Sequence, residues 1–374
     1  MKKWIYLVMI AIVTITLLLL AGCFTHKPIK IGYVGGLTGR FSDIGISGQN
    51  GVMLAIEESN ETGGIKGRRI ELLAEDDHGD AALALKADQE LVSKGVTVII
   101  GHMTSAASVA AMPFINSPDA KNTLMISPTT RTSKLTGIED NFFSVIPPMK
   151  AATDAQAEYV RTIGIKKMII LYDLANRDFS EDWAANFTAT YQMLGGEIIA
   201  IRQFQSGTKF SYLQIIEEIT KLRPDGILLI AGGVDGAMFC QQIQKVGLKA
   251  KVFSSSWAMT YDFLQNGGPT VEGVIFSNPV NPENNYPTYE AFSQKYQQRF
   301  GKKPDFAAAY GYEAANVAIE GLKIDSQHLK KNLLAKKEFT GLWGPFTLDS
   351  FGDAQRGNYI LSVQDGSFKQ VSDE

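Results

Sequence analysis

The chain has 374 residues, 45% of them hydrophobic, with 36 Lys and Arg against 39 Asp and Glu and a formal charge of −3. That length fills two domains with full cores, and a mildly acidic balance without a basic stripe excludes nucleic acid as an expected partner. Two cysteines, Cys23 and Cys240, and four scattered histidines, His26, His78, His102 and His328, offer no zinc spacing and no internal disulfide beyond Cys23, so no metal or cofactor is expected.

At the start, Lys2 and Lys3 precede an uncharged apolar run over residues 4–20, then the small residues Ala21 and Gly22, then Cys23. Leu20-Ala21-Gly22-Cys23 resembles the lipobox of bacterial lipoproteins. The resemblance implies cleavage after Gly22, a diacylglycerol on the Cys23 thiol, and a protein held by lipid on the extracytoplasmic side of a membrane. An uncleaved anchor helix and a plain secretory signal are the other readings of the run, whose length is near that of a membrane span.

From Ile29 onward short apolar strands alternate with amphipathic helices. The pattern predicts strands at 29–34, 70–74, 97–100, 123–126 and 142–146, and helices at 50–60, 81–94 and 105–115. Val52, Ile56 and Ser59 share one face of the first helix, and Thr62-Gly63-Gly64 supplies its C-cap. Pro147-Pro148 closes this set. The rhythm restarts with helices at 151–163, 181–194, 212–222 and 236–246 and strands at 168–172, 198–203, 226–230, 251–254 and 273–276. After Asn-Pro-Val-Asn-Pro at 278–282 come helices at 289–300, 306–322 and 326–334, then strands at 346–348, 358–364 and 368–371. Cys240, in Ala-Met-Phe-Cys-Gln-Gln, reads as a buried core thiol.

Two such sets imply an α/β fold of two doubly wound lobes, each a parallel sheet covered on both faces. Ligands in such lobes sit beyond the carboxyl ends of the strands. Those loops are 35–45, 76–80, 101–105 and 127–136 in the first lobe, and 173–180, 231–235 and 254–260 in the second. No enzyme is expected. Gly35-Gly-Leu-Thr-Gly lacks the Gly-Lys-Ser/Thr ending of a phosphate loop and is not Gly-x-Gly-x-x-Gly. No Gly-x-Ser-x-Gly elbow occurs. Asp76-Asp77-His78, at a strand end, is the first place to look for a base or a metal.

Several stretches occur together and in order: Gly48-Gln-Asn-Gly-Val, Asn60-Glu-Thr-Gly-Gly-Ile-Lys-Gly, Asp76-Asp77, Val98-Ile-Ile-Gly101-His, Leu124-Met-Ile-Ser-Pro128 with Leu135-Thr136, and Gln242 with Val246-Gly-Leu-Lys. In content and spacing they resemble the leucine/isoleucine/valine-binding group of periplasmic solute-binding proteins, over nearly all of the chain beyond Cys23. The resemblance implies the type I periplasmic binding fold, with a three-segment hinge near 145–148, 276–280 and 352–357. It divides the chain into 29–147 plus 278–353 and 148–277 plus 354–374. It further implies a monomeric, lipid-anchored subunit of an ABC importer that captures an amino acid or related carboxylate or amide for the permease subunits. A ligand-sensing partner of a membrane receptor would use the same fold.

The resemblance also assigns site residues. Ser105, at the start of its helix, and Thr129, with Thr130 beside it, match positions that hold a ligand carboxylate, where helix N–H groups add positive potential. Arg131 departs from the family's usual threonine and could grip an acid bidentately. Ser256 stands where the family has the glutamate that meets the ligand ammonium, and the nearest substitute is Asp235. Phe179, Trp257 and Tyr310 or Tyr312 match aromatic walls, with Asn176 and Arg177 in the same loop as Phe179. Each position has a local alternative: a helix cap for Ser105 and Asp235, turn hydrogen bonds for Thr129, a solvent-facing arginine, and core packing for the aromatics.

Overall fold

The computed structural model describes residues 27–284 and 286–371. The lipobox and Cys23 lie outside the described residues. The first part of the chain runs β1 (Ile29–Gly35), α1 (Ser42–Glu61), β2 (Ile70–Asp76), α2 (Ala81–Ser93), β3 (Val98–Ile100), α3 (Ser105–Ile115), β4 (Leu124–Ser127) and β5 (Phe142–Ser144). Its strands form one all-parallel sheet in the order β2-β1-β3-β4-β5. Branched residues buried on both faces, such as Ile31, Val98, Ile99, Ile100 and Ile126, suit a sheet covered twice.

The chain then passes to a second sheet. It continues as α4 (Met149–Thr162), β6 (Lys167–Asp173), α5 (Arg177–Met193), β7 (Glu197–Phe204), α6 (Tyr212–Thr220), β8 (Gly226–Ile230), α7 (Gly233–Val246), β9 (Lys251–Ser254), α8 (Tyr261–Gly267) and β10 (Ile275–Asn278). It returns with α9 (Pro287–Phe300), α10 (Phe306–Ile324), α11 (Leu329–Lys336), β11 (Glu338–Gly341), β12 (Gly344–Leu348) and β13 (Ala354–Gln355), and ends in β14 (Tyr359–Gln364) and β15 (Ser367–Gln370). The second sheet is ordered β15-β14-β10-β9-β8-β6-β7. Its five strands from β10 to β7 are parallel, while β14 and β15 are antiparallel. A small antiparallel sheet, β11-β12-β13, completes the first lobe.

Three segments thus run between the lobes: one after β5, one after β10 and one between β13 and β14. The last is pinned from the first lobe. Arg356 Nη2 donates to Glu313 Oε2 of α10 at 2.5 Å, both side chains are buried, and the guanidinium lies 4.0 Å over the Phe346 ring.

The short strands β11 and β13 were not expected from the sequence, and two helices also depart from the sequence reading. α1 begins at Ser42, not at 50, because Gly45, Gly48 and Gly51 interrupt the apolar period. Gly51 is there for packing: a Cβ would lie 1.9 Å from the Ala308 carbonyl of α10, and one on Gly311 would lie 2.4 Å from the Gly48 carbonyl. The two helices touch backbone to backbone. The other departure is α8, too short for a period to show. Its one sequence sign is the Thr260 hydroxyl, which accepts from Phe263 N at 3.2 Å as an N-cap. Cys240 is buried in the second lobe's core, and burial pushes its thiol up to about 12.

Candidate functional site

The loops beyond the strand ends of the two lobes meet each other. Arg40, in the loop after β1, forms an ion pair with Asp235 at the start of α7, and Tyr212 also donates to Asp235. Phe41 packs on Trp257 with ring centroids 5.6 Å apart. Beyond β4, Thr132 Oγ1 donates to Asp182 Oδ2 at 2.6 Å and Ser133 N at 2.7 Å, and Lys134 pairs with Asp178. At the N-terminus of α3, Ala106 N donates to Asn176 Oδ1 of the opposite lobe at 3.1 Å. The helix's free N–H groups therefore point across the gap, as their chemistry favours.

Behind these contacts lies a void of about 20 Å³, room for roughly one water molecule. Ile44, Met103, Thr129 and Arg131 line it from the first lobe, with Phe306 from the first turn of α10 and Ile146 from the first crossing. Asn176, Phe179, Ser256 and Trp257 face them from the second lobe. As it stands, the space is too small for a solute of several heavy atoms.

Arg131 dominates the void. It is 2% exposed, yet among the described residues it has no carboxylate partner. Its Nη1 reaches Ser256 Oγ at 3.4 Å and its Nη2 the Pro148 carbonyl at 3.2 Å. Nε has no partner, and the guanidinium lies 5.4 Å from the Trp183 ring centroid. Burial draws its pKa down to about 10, which leaves it charged at neutral pH. A buried cation with so few acceptors is expensive and has donors in hand for an anion. Ser105 holds it in place: its Oγ donates to the Arg131 carbonyl and accepts from Arg131 N, both at 3.1 Å.

Residues 28–367 match the sequence profile of the periplasmic binding protein family. The chain belongs to that family. This periplasmic binding protein is 25% identical over 352 residues to Leu/Ile/Val-binding protein homolog 3 of Brucella melitensis, covering 91% of its own length and 93% of the relative's. Its fold matches the branched-chain amino acid transporter substrate-binding protein of Streptococcus pneumoniae, solved in complex with isoleucine, with a TM-score of 0.83, 23% identity and coverage of 92% and 99%. It also matches an ABC-transporter solute-binding protein of Rhodopseudomonas palustris BisB5, solved in complex with 3,4-dihydroxybenzoic acid, with a TM-score of 0.83, 22% identity and coverage of 92% and 96%. The two-lobed parallel-sheet fold expected from the alternating pattern is the fold of these proteins.

Of the residues singled out in the sequence, the void of this periplasmic binding protein brings Thr129, Arg131, Asn176, Phe179, Ser256 and Trp257 together. Thr129 Oγ1 donates to the Met103 carbonyl at 2.8 Å. Phe179 and Trp257 pack edge to face at 5.8 Å. Ser105 sits behind Arg131, and Thr130 shares a 2.7 Å hydrogen bond with Ser108 in the first lobe's interior. Asp235 is occupied by Arg40 and Tyr212. Tyr310 lies outside the void, its ring tilted against that of Trp343 with centroids 5.1 Å apart. Arg177 is paired with Glu181 on its own helix. Asp76 and Asp77 accept from the backbone of Leu37, His78 and Gly79 and shape their own loop. Sequence reasoning missed Ile44, Met103, Ile146 and Phe306. Phe306 had a readable sign, since Asp305 caps the helix it opens by accepting from Ala308 N at 3.0 Å. The other three are apolar residues with no local mark. Among the described residues no helix is long and apolar enough to cross a membrane, and no cluster of three metal-ligating side chains occurs.

Proposed function

We propose that this periplasmic binding protein is the solute-binding subunit of an ABC importer, working outside the cytoplasm. Its lobes close over a small carboxylate-bearing solute, an amino acid or a related acid or amide, and it passes the solute unaltered to permease subunits. It acts as a monomer tethered to the membrane by lipid on Cys23. The hinge is the three crossings, with the lobes divided near 147/148, 277/278 and 353/354. The observation that carries this reading is the buried Arg131 guanidinium facing a void between lobes, with the N-terminus of α3 beside it. The names of the relatives support it, and isoleucine and 3,4-dihydroxybenzoic acid, bound by two proteins of this fold, share a carboxylate.

The lobes' differential contact with the solute supplies the preference for closure. A micromolar constant corresponds to about −8 kcal/mol, and two charge-assisted hydrogen bonds at roughly 1.5–3 kcal/mol each make a large part of it. The test is a thermal-shift and calorimetry screen of the purified protein against amino acids, hydroxy, oxo and aromatic acids, and their amides. At least one carboxylate is expected to saturate binding, raise the unfolding temperature and shrink the radius of gyration in solution scattering. Turnover of the bound solute, or binding confined to compounds without an acid group, would sink the reading.

A further inference from the structure

The void holds one charge, and it is positive. None of the residues lining it is Asp or Glu. Asp173, at the end of β6, accepts from Ala175 N and Ser206 N through Oδ1, its Oδ2 has no partner, and it is not part of the lining, while three further acids are paired. Asp235 is taken by Arg40 and Tyr212, Asp182 by Thr132 and Ser133, and Asp178 by Lys134. Asp43, one residue before Ile44, is not part of the lining, and the charges that act on it are those of Asp305 and Asp262.

A solute carboxylate placed against Arg131 fixes the rest of the molecule within a few ångströms. An ammonium on the adjoining carbon would lie in the field of the guanidinium with only neutral oxygens in reach, those of Thr129, Asn176 and Ser256. All three already hold a partner, since Thr129 Oγ1 donates to Met103, Asn176 Oδ1 accepts from Ala106 and Ser256 Oγ accepts from Arg131, and although each can accept a further hydrogen bond none carries a charge to balance an ammonium. A buried ammonium without a counter-charge is strongly disfavoured. The remaining wall is apolar and aromatic, formed by Phe179, Trp257, Phe306 and Ile44.

Resting on the reading of this void as the solute site, we propose that the solute is a carboxylate without an α-ammonium group, carrying an aromatic or branched apolar body. Arg131 is its anion partner and the selectivity residue. The charge of the site matches a monocarboxylate and leaves a free α-amino acid one positive charge too many.

The test is calorimetry of the full-length protein in detergent with matched pairs of one carbon skeleton. The pairs are leucine against 4-methylpentanoate and 4-methyl-2-oxopentanoate, and phenylalanine against 3-phenylpropanoate, with benzoate added. The unaminated acid of at least one pair is expected to bind at least tenfold more tightly than its amino acid, and Arg131→Met to weaken that acid at least 30-fold. An amino acid that binds as tightly as its unaminated partner overturns the inference while leaving the solute-binding reading intact. Binding of none of these compounds overturns the inference, and the wider screen described above then decides the solute-binding reading. Unchanged affinity in a folded Arg131→Met protein removes Arg131 as the anion partner. If that variant does not fold, the matched pairs decide alone.

Discussion

At the scale of single residues, the cleft separates what chemistry announces from what only packing reveals. Arg131, Phe179 and Trp257 were legible through the family resemblance, the two aromatics as matches to its pocket walls and Arg131 as a departure from its usual threonine. Asp235 was legible as an acid near the cleft, but its partner, Arg40, lies 195 positions away, and no local pattern links the two. Tyr310 and Phe306 are four residues apart on one face of α10, about a turn from each other, and only the position of that helix along its axis decides which of them meets the void. Asp43 shows another effect that sequence hides. Burial, aided by Asp305 and Asp262, raises its pKa from 3.8 to about 7. Its proton is therefore held more tightly in the folded state. The resulting stabilisation is present below about pH 4 and is lost as pH rises through 7. The Asp43→Asn variant mimics the protonated form at every pH. Its stability is expected to gain on the wild type by roughly 3–4 kcal/mol between pH 4 and pH 7. Urea midpoints at the two pH values measure this, and parallel pH profiles for the two proteins would refute it.

At the scale of elements, the buried parallel strands were readable to within two residues at each end, since they are uninterrupted apolar runs, whereas the short strands β11 and β13 carry no such run and were missed. The start of α1 was not readable either, and the reason is specific: glycines that weaken a helix signal are required where α1 and α10 meet. The Gly51→Ala change tests that explanation. A methyl group 1.9 Å from the Ala308 carbonyl forces the helices apart and should cost about 2–3 kcal/mol. The same change on an exposed helix face would be stabilising. A gain in the midpoint of chemical unfolding would show that the two helices do not approach this closely.

At the scale of the whole molecule, the alternating pattern disclosed two lobes, but their facing contacts were beyond its reach, because they join loops distant in sequence. Those contacts set the balance between open and closed forms. Asp235 is 2% exposed; its hydrogen bond from Tyr212 is made within the second lobe, but its pairing with Arg40 exists only when the lobes are together. Asp235→Asn keeps the shape and removes the charge. It is expected to lower the closed fraction and weaken solute binding about tenfold, the equivalent of roughly 1.4 kcal/mol. The free protein should also expand in solution scattering, and its dimensions should lose their dependence on salt. Identical dimensions and affinity in the variant would mean that this ion pair does not hold the closed form.

The buried thiol of Cys240 has a practical consequence. With its pKa pushed up to about 12 and its side chain inside the second lobe's core, it is a poor nucleophile towards alkylating dyes. Val234 is 37% exposed and adjoins Asp235 at the rim. A cysteine introduced there can be tagged with an environment-sensitive fluorophore without first deleting Cys240. Emission from that position would report capture in real time, which turns the protein into an optical sensor for whatever nutrient it gathers.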